Sequence, residues 1–291
     1  MNRSSILLGC LLLLFQTSSP APGQTAVDTT ASAATTDAAT TTEAALVTKD
    51  PAGLAIAQQA MAAMAGTQGV PGYQDSLTTG TLTLPGDKPK TFSVALKTKG
   101  TQQLRVELTS ADGTRVRVLK QGQAAIQYPD GKIRKLLMNN TLTERVSHLP
   151  IFSLLAESND PSVIAEHVGA ARMAGGATAN VIALRPVPIP GMSQADLDRT
   201  TTKTWFYIDQ LSGMATKTEY FLFAENDPDE KAKVETYFSD FRSINGVWVP
   251  FHQMTYEDGK LAEDLVLTSV AFNAGVSDTE FTVPTEVANA Q

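Results

Sequence analysis

The chain has 291 residues, 42% of them hydrophobic and 18% charged, with 23 Lys and Arg against 30 Asp and Glu. That apolar content excludes a wholly disordered protein and suffices for one large domain or two ordinary ones. A net charge of −7 argues against a nucleic-acid partner, because phosphate binding depends on concentrated Lys and Arg.

Residues 1–23 set Arg3 ahead of an uncharged apolar run, Ile6 to Phe15, and then turn to Ser, Pro and Ala. This is the layout of a cleaved export signal, and the run falls short of the roughly 20 residues that span a bilayer. Cleavage after Ala21 or after Gly23 would in either case present small residues to the peptidase. Cys10, the only cysteine, follows Leu7-Leu8-Gly9 in the manner of a lipobox. A lipobox closes its apolar run, whereas this one continues through Leu14, so removal of Cys10 with the signal is the favoured reading. The mature chain then has no thiol, which excludes disulfides, cysteine nucleophiles and thiolate metal sites together.

Residues 24–46 are almost entirely Ala and Thr, with little bulky apolar surface to offset the cost of ordering, and read as a disordered tether. A folded domain is expected over 47–286, with 287–291 as a tail. It opens on a helix: Asp50 is a suitable N-cap, Pro51 occupies the first turn, and Gly66 lies just past the end. Leu54, Ala57, Met61 and Met64 recur at helical spacing and form one apolar stripe that something else must cover.

From Ser76 the period changes from about 3.6 to 2. Phe92, Val94 and Leu96 alternate with polar or small residues, as do Leu104, Val106 and Leu108 with Arg105 and Glu107 between them. A three-residue loop Ala111-Asp112-Gly113 would set Leu108 opposite Val116, Val106 opposite Val118 and Glu107 opposite Arg117, whereas a two-residue turn would oppose apolar to charged residues. The longer loop is therefore predicted. Leu77 and Leu82 have opposite parity around Gly80, which predicts a bulge that keeps both on one face. Turns at Pro129-Asp130-Gly131, Gly175-Gly176, Asn245-Gly246 and Asp258-Gly259 separate further strands over 180–184, 203–209, 217–223, 233–241, 247–256 and 264–272. Pro150 to Ser158 and Pro161 to His167 read as short helices, and Pro186 to Thr202 as a proline-containing excursion long enough to act as a flap. The fold class is mainly β with helices, an antiparallel meander.

The order of these elements, together with Tyr207-Ile208-Asp209, Ser212-Gly213 and Lys217, then Phe241-Arg242, Asn245-Gly246-Val247 and Pro250, resembles the bacterial lipoprotein-carrier superfamily of LolA, LolB and RseB. Glu257-Asp258-Gly259 and the closing Asn273, Asp278, Phe281 and Pro284 extend the likeness, which covers about Pro51 to Pro284. The resemblance implies a curved antiparallel incomplete β-barrel whose concave face is covered by helices, with acyl chains sheltered between them. The export signal implies a periplasmic protein, with an outer-membrane lipoprotein the less favoured reading if Cys10 is acylated.

Catalytic patterns are sparse. His148, His167 and His252 are isolated, and no Gly-x-Ser-x-Gly elbow supports Ser147-His148 as a nucleophile pair. The acidic group Glu225, Asp227, Asp229 and Glu230 lacks calcium-loop spacing and reads as a solvated hairpin tip. No cofactor, metal or enzymatic activity is expected. Met61, Met64, Met173, Met192 and Met254, with Phe206, Phe221, Phe223 and Phe238, could line an adaptable apolar cavity or simply form a core. The candidate ligand-binding residues are Leu54, Met61, Met64, Val94, Leu96, Leu104, Val106, Leu108, Val116 and Val118. The expected partner is a lipid or acylated protein, with a membrane-associated partner as a second possibility. An envelope sensor similar to RseB is the alternative reading, and an envelope hydrolase ranks below both.

Overall fold

The computed structural model describes residues 50–65, 73–136, 149–187, 193, 203–223 and 230–285. The export segment, the tether, His148, most of the 186–202 excursion, Glu225, Asp227, Asp229 and the tail lie outside the described residues.

Helix α1 (Pro51–Ala65) begins where the sequence marks it, with Asp50 Oδ1 accepting a hydrogen bond from Ala52 N at 3.0 Å. The first half of the sheet follows as β1 (Asp75–Leu84), β2 (Lys90–Lys99), β3 (Gln103–Ser110), β4 (Gly113–Lys120), β5 (Gln123–Gln127) and β6 (Ile133–Lys135). After α2 (Pro150–Asn159) come β7 (Val163–Arg172), β8 (Thr178–Pro186), β9 (Thr204–Asp209), β10 (Ala215–Phe223), β11 (Lys231–Ile244), β12 (Val247–Glu257) and β13 (Lys260–Phe272). A 3₁₀ turn, Asp278–Phe281, follows the last strand.

All thirteen strands form one antiparallel sheet in the order β6-β5-β4-β3-β2-β1-β13-β12-β11-β10-β9-β8-β7. Two meanders therefore run outward from a seam where β1 pairs with β13. The edges, β6 and β7, do not pair, and the sheet is an open curved half-barrel. Asn245-Gly246 and Asp258-Gly259 close their hairpins with both residues at positive φ, the geometry that matches the right-handed twist of flanking strands.

Three expectations are corrected. Pro161 to His167 is not a helix: Asp160 Oδ1 accepts from Ser162 N at 2.8 Å to make a turn, and Val163 onward pairs with β8 as an edge strand. The β-branched pair Val163-Ile164 suits a half-buried sheet surface better than a helix turn. The irregularity at Gly80 exists, but its extra residue is Thr268 on β13, since Thr79 faces Ser269 and Gly80 faces Leu267. The β1–β2 register is unbroken, so Leu77 and Leu82 lie on opposite faces. Finally, the β3–β4 turn has two residues: Ser110 faces Gly113, Leu108 faces Arg115, Val106 faces Arg117 and Glu107 faces Val116.

Candidate functional site

One buried cluster runs along the concave face. It joins Ala57, Ala60 and Met64 of α1 and Ile151 and Leu154 of α2 to Val94, Leu96, Leu104, Val106, Leu108 and Leu119 in the first half of the sheet. Residues directly opposite on neighbouring antiparallel strands share a face, so the register Thr78, Leu96, Val106 defines a continuous wall across β1, β2 and β3. Both helices lean on the second half: α1 packs on β7, β8 and β12, and α2 on α1, β7 and β10.

The contact of α1 with β7 is close. A Cβ on Gly53 would lie 2.7 Å from the Ala165 carbonyl oxygen, a distance that side-chain-bearing residues do not tolerate. Asp50 Oδ2 also accepts from the backbone N of His167 at 2.8 Å, tying the start of α1 to the strand. These hydrogen bonds hold the Asp50 carboxyl below its usual value. At the other end of the helix, Asp209 Oδ1 accepts from Ser212 N at 2.7 Å, and Gly213, at φ 73°, brings the turn so near that a Cβ would sit 2.9 Å from the Ala63 Cβ. The segment Asp209 to Gly213, part of the family-like wording, is thus the seat for the end of α1. Asn273 has a similar architectural role, at positive φ with its Oδ1 accepting from Gln74 N at 2.8 Å.

The candidate binding residues separate into three groups. Val94, Leu96, Leu104, Val106, Leu108 and Met64 are brought together in the concave cluster, with Met61 half-buried at its margin. Leu54 is half-exposed and stands apart, because α1 buries the stripe Gly53, Ala57, Ala60 and Met64. Val116 and Val118 face the other side with Glu107 and Arg105, contrary to the pairing the longer loop would have given. Val118 is nevertheless fully buried, as is Phe281 of the closing turn, which packs on the convex side of β3 and β4. Ion pairs of Glu280 with Lys97 and Arg105 fasten that turn.

Sequence reasoning missed what the two-residue turn places on the concave face: Arg115 and Arg117. Arg117 lies opposite both Val106 and Ile126, and Ile126 lies opposite Arg134. Arg117 is only 4% exposed. Their signal is the alternation Arg115-Val116-Arg117-Val118, which fits either the valines or the arginines to the inner face until the turn length is fixed.

No protein-family model matches the chain, and no curated protein matches it in sequence. Solved structures do match in fold. A protein of the DUF1329 family from Desulfovibrio piger aligns with a TM-score of 0.53 at 13% identity, over 79% of this chain and 96% of that one. A domain described as an outer-membrane lipoprotein-sorting protein from Vibrio parahaemolyticus gives 0.52 at 13% identity over the same shares, 79% and 96%. A LolA superfamily protein from Nitrosomonas europaea gives 0.51 at 14% identity over 78% and 96%. The fold resembles that of the LolA-like carriers. At such identities the likeness establishes architecture, and the chemistry has to come from this chain's own residues.

On the convex side of this LolA-like sheet lie two polar groupings. Lys217 is held by Glu219 and Glu235 and lies over the rings of Tyr207 and Tyr237. Burial works against its charge, but the carboxylates outweigh burial and raise its pKa above the ordinary lysine value. Nearby on β11 to β13, Asp264 Oδ1 lies 2.8 Å from His252 Nε2, and Ser239 Oγ lies 3.3 Å from His252 Nδ1. This Ser–His–Asp chain stands on the solvated convex surface of the sheet, with side-chain exposures of 31% and 38% at His252 and Asp264. A nucleophile there lacks the water-excluding enclosure that gives such a chain its catalytic strength.

Proposed function

We propose that the protein is an exported, noncatalytic carrier that shelters acyl chains of a lipid or acylated protein against the concave wall. The observation that carries the reading is the unbroken apolar surface of Val94, Leu96, Leu104, Val106 and Leu108 on the inner face of an open sheet. These wall residues are 1–6% exposed and share one cluster with α1 and α2, so an acyl chain would take its place between the wall and the helices. Each buried CH₂ contributes about 0.8 kcal/mol, so one long acyl chain supplies useful affinity after ordering costs. The export signal at residues 1–23 and the lipoprotein-sorting description of a structural neighbour support the same reading.

The test is mass spectrometry of organic extracts from protein produced with its own signal and purified without detergent. Wild type and Val266→Glu, altered on the convex face, are expected to carry lipid, while Val106→Glu loses it with an unchanged circular dichroism spectrum. If Val106→Glu does not fold, a photoactivatable fatty acid bound to wild type should cross-link to residues 94–108. A wild type that is empty and takes up neither fatty acid nor lipopeptide overturns the proposal.

A further inference from the structure

We propose that Arg115, Arg117 and Arg134 form an anion-binding subsite at the far end of the concave wall, which receives the phosphate or carboxylate headgroup of an amphiphile whose chain lies on Leu96, Val106 and Leu108. The inference rests on the carrier reading for the chain, and on the arginines alone for the head.

Register places the subsite. The row Leu96, Val106, Arg117, Ile126, Arg134 crosses β2 to β6 on one face, and beside it runs the row Val94, Leu108, Arg115. Along both rows the surface changes from aliphatic to guanidinium within one strand spacing, about 5 Å. That is the polarity profile of a fatty acid or phospholipid. An apolar wall needing only to fill a core has no use for it, because a buried guanidinium is costly unless its donors are met.

Arg115 shows that the demand is open. Its Nη1 is fully buried and makes no hydrogen bond. Tyr128 packs against it, with the guanidinium carbon 5.1 Å from the ring centroid, which orients the fork. Burial, together with the positive charges of Arg117 and Arg134, pulls Arg115 below its ordinary pKa against the opposing effect of Tyr128. A bound oxyanion would accept from the buried Nη1 and reduce this repulsion, and the planar fork matches phosphate or carboxylate in bidentate geometry.

The test uses the full mature chain after delipidation, with a fluorescent twelve-carbon fatty acid, the methyl ester of the same acid, and inorganic phosphate as probes. Wild type should bind the acid at least tenfold more tightly than the ester, and 1 M salt should shrink the ratio. In Arg115→Gln the ratio should fall towards one while the ester's affinity holds. Should that variant fail to fold, Arg115→Lys keeps the charge but removes the fork, and should lose most of the preference. Equal binding of acid and ester by wild type overturns the subsite and leaves the carrier reading standing. Binding of neither acid nor ester overturns the carrier reading, and the phosphate titration then decides the subsite: Arg115-dependent binding marks a site for free phosphate, and no binding overturns it.

Discussion

The two halves of the sheet are braced from opposite sides. Strands β7 to β12 carry α1 and α2 on the concave face, while β3 and β4 carry the closing 3₁₀ turn on the convex face. The helix-bound half is set by close backbone approach, with Gly53 against the Ala165 carbonyl, whereas Val106 and Leu108 of the other half are buried nearly as deeply as Met64 without such an approach. In the turn-bound half the brace lies behind the wall, so β3 and β4 are supported from the convex side. A sheet covered on both faces in different places also has no single inside, and alternation of apolar and polar residues ceases to report burial.

The sharpest way to break this contrast is Phe281→Ala. Phe281 is fully buried, and its removal leaves a void beneath β3 and β4. Loss of about 3–5 kcal/mol is expected in urea unfolding. A loss below about 1 kcal/mol would show that the convex brace is dispensable.

Gly53→Ala probes the other half. At an ordinary helix position the change would add stability of about 1 kcal/mol. Here the new Cβ would meet backbone at 2.7 Å, and overpacking costs about 1–3 kcal/mol, so a lower melting temperature is expected. A raised melting temperature would mean that α1 does not sit so closely on β7.

Much of this architecture was legible in the sequence. The Asp50 cap, the proline-led helix at Pro150, the Asn-Gly and Asp-Gly hairpins and the later strands follow from local rules that tertiary context does not override. Val94, Leu96, Leu104, Val106 and Leu108 also group as their alternation predicts. What could not be read was anything set by a covering element distant in sequence. Setting Leu108 opposite Val116 and Val106 opposite Val118 across Ala111-Asp112-Gly113 requires a wet convex face, but Phe281, more than 160 residues later, dries that face and releases Arg115 and Arg117 to the other. The helix stripe was misplaced for the same reason: Gly53 and Ala60 carry little apolar signal, yet their smallness is what lets α1 approach.

Acidification should weaken the helix-bound half selectively. Hydrogen bonds from the backbone N of His167 and of Ala52 hold Asp50 below its ordinary 3.8. A depressed carboxyl contributes stability that is complete above the unfolded value and lost as the pH falls through the folded one. Wild type should therefore lose stability relative to Asp50→Ala as the pH drops below about 4, and amide exchange should report opening of α1 before β3. A constant difference between the two proteins from pH 7 to pH 2 would contradict the tie to β7.

The smallest effect belongs to the ionic part of the convex brace. Glu280 bonds Lys97 at 2.7 Å and, with Glu107, raises the lysine above its ordinary 10.5, burial opposing. A raised lysine contributes stability that is complete below its unfolded value and lost as the pH climbs through the folded one. Glu280→Gln should consequently cost less than about 1 kcal/mol at pH 7, because the pair is partly exposed and screened, and less still in 1 M salt. The wild-type advantage should fade above pH 10.5. Phe281 and Glu280 are adjacent in one turn, so a larger loss from the glutamate than from the phenylalanine would mean that charge, and not burial, fixes the turn to the sheet.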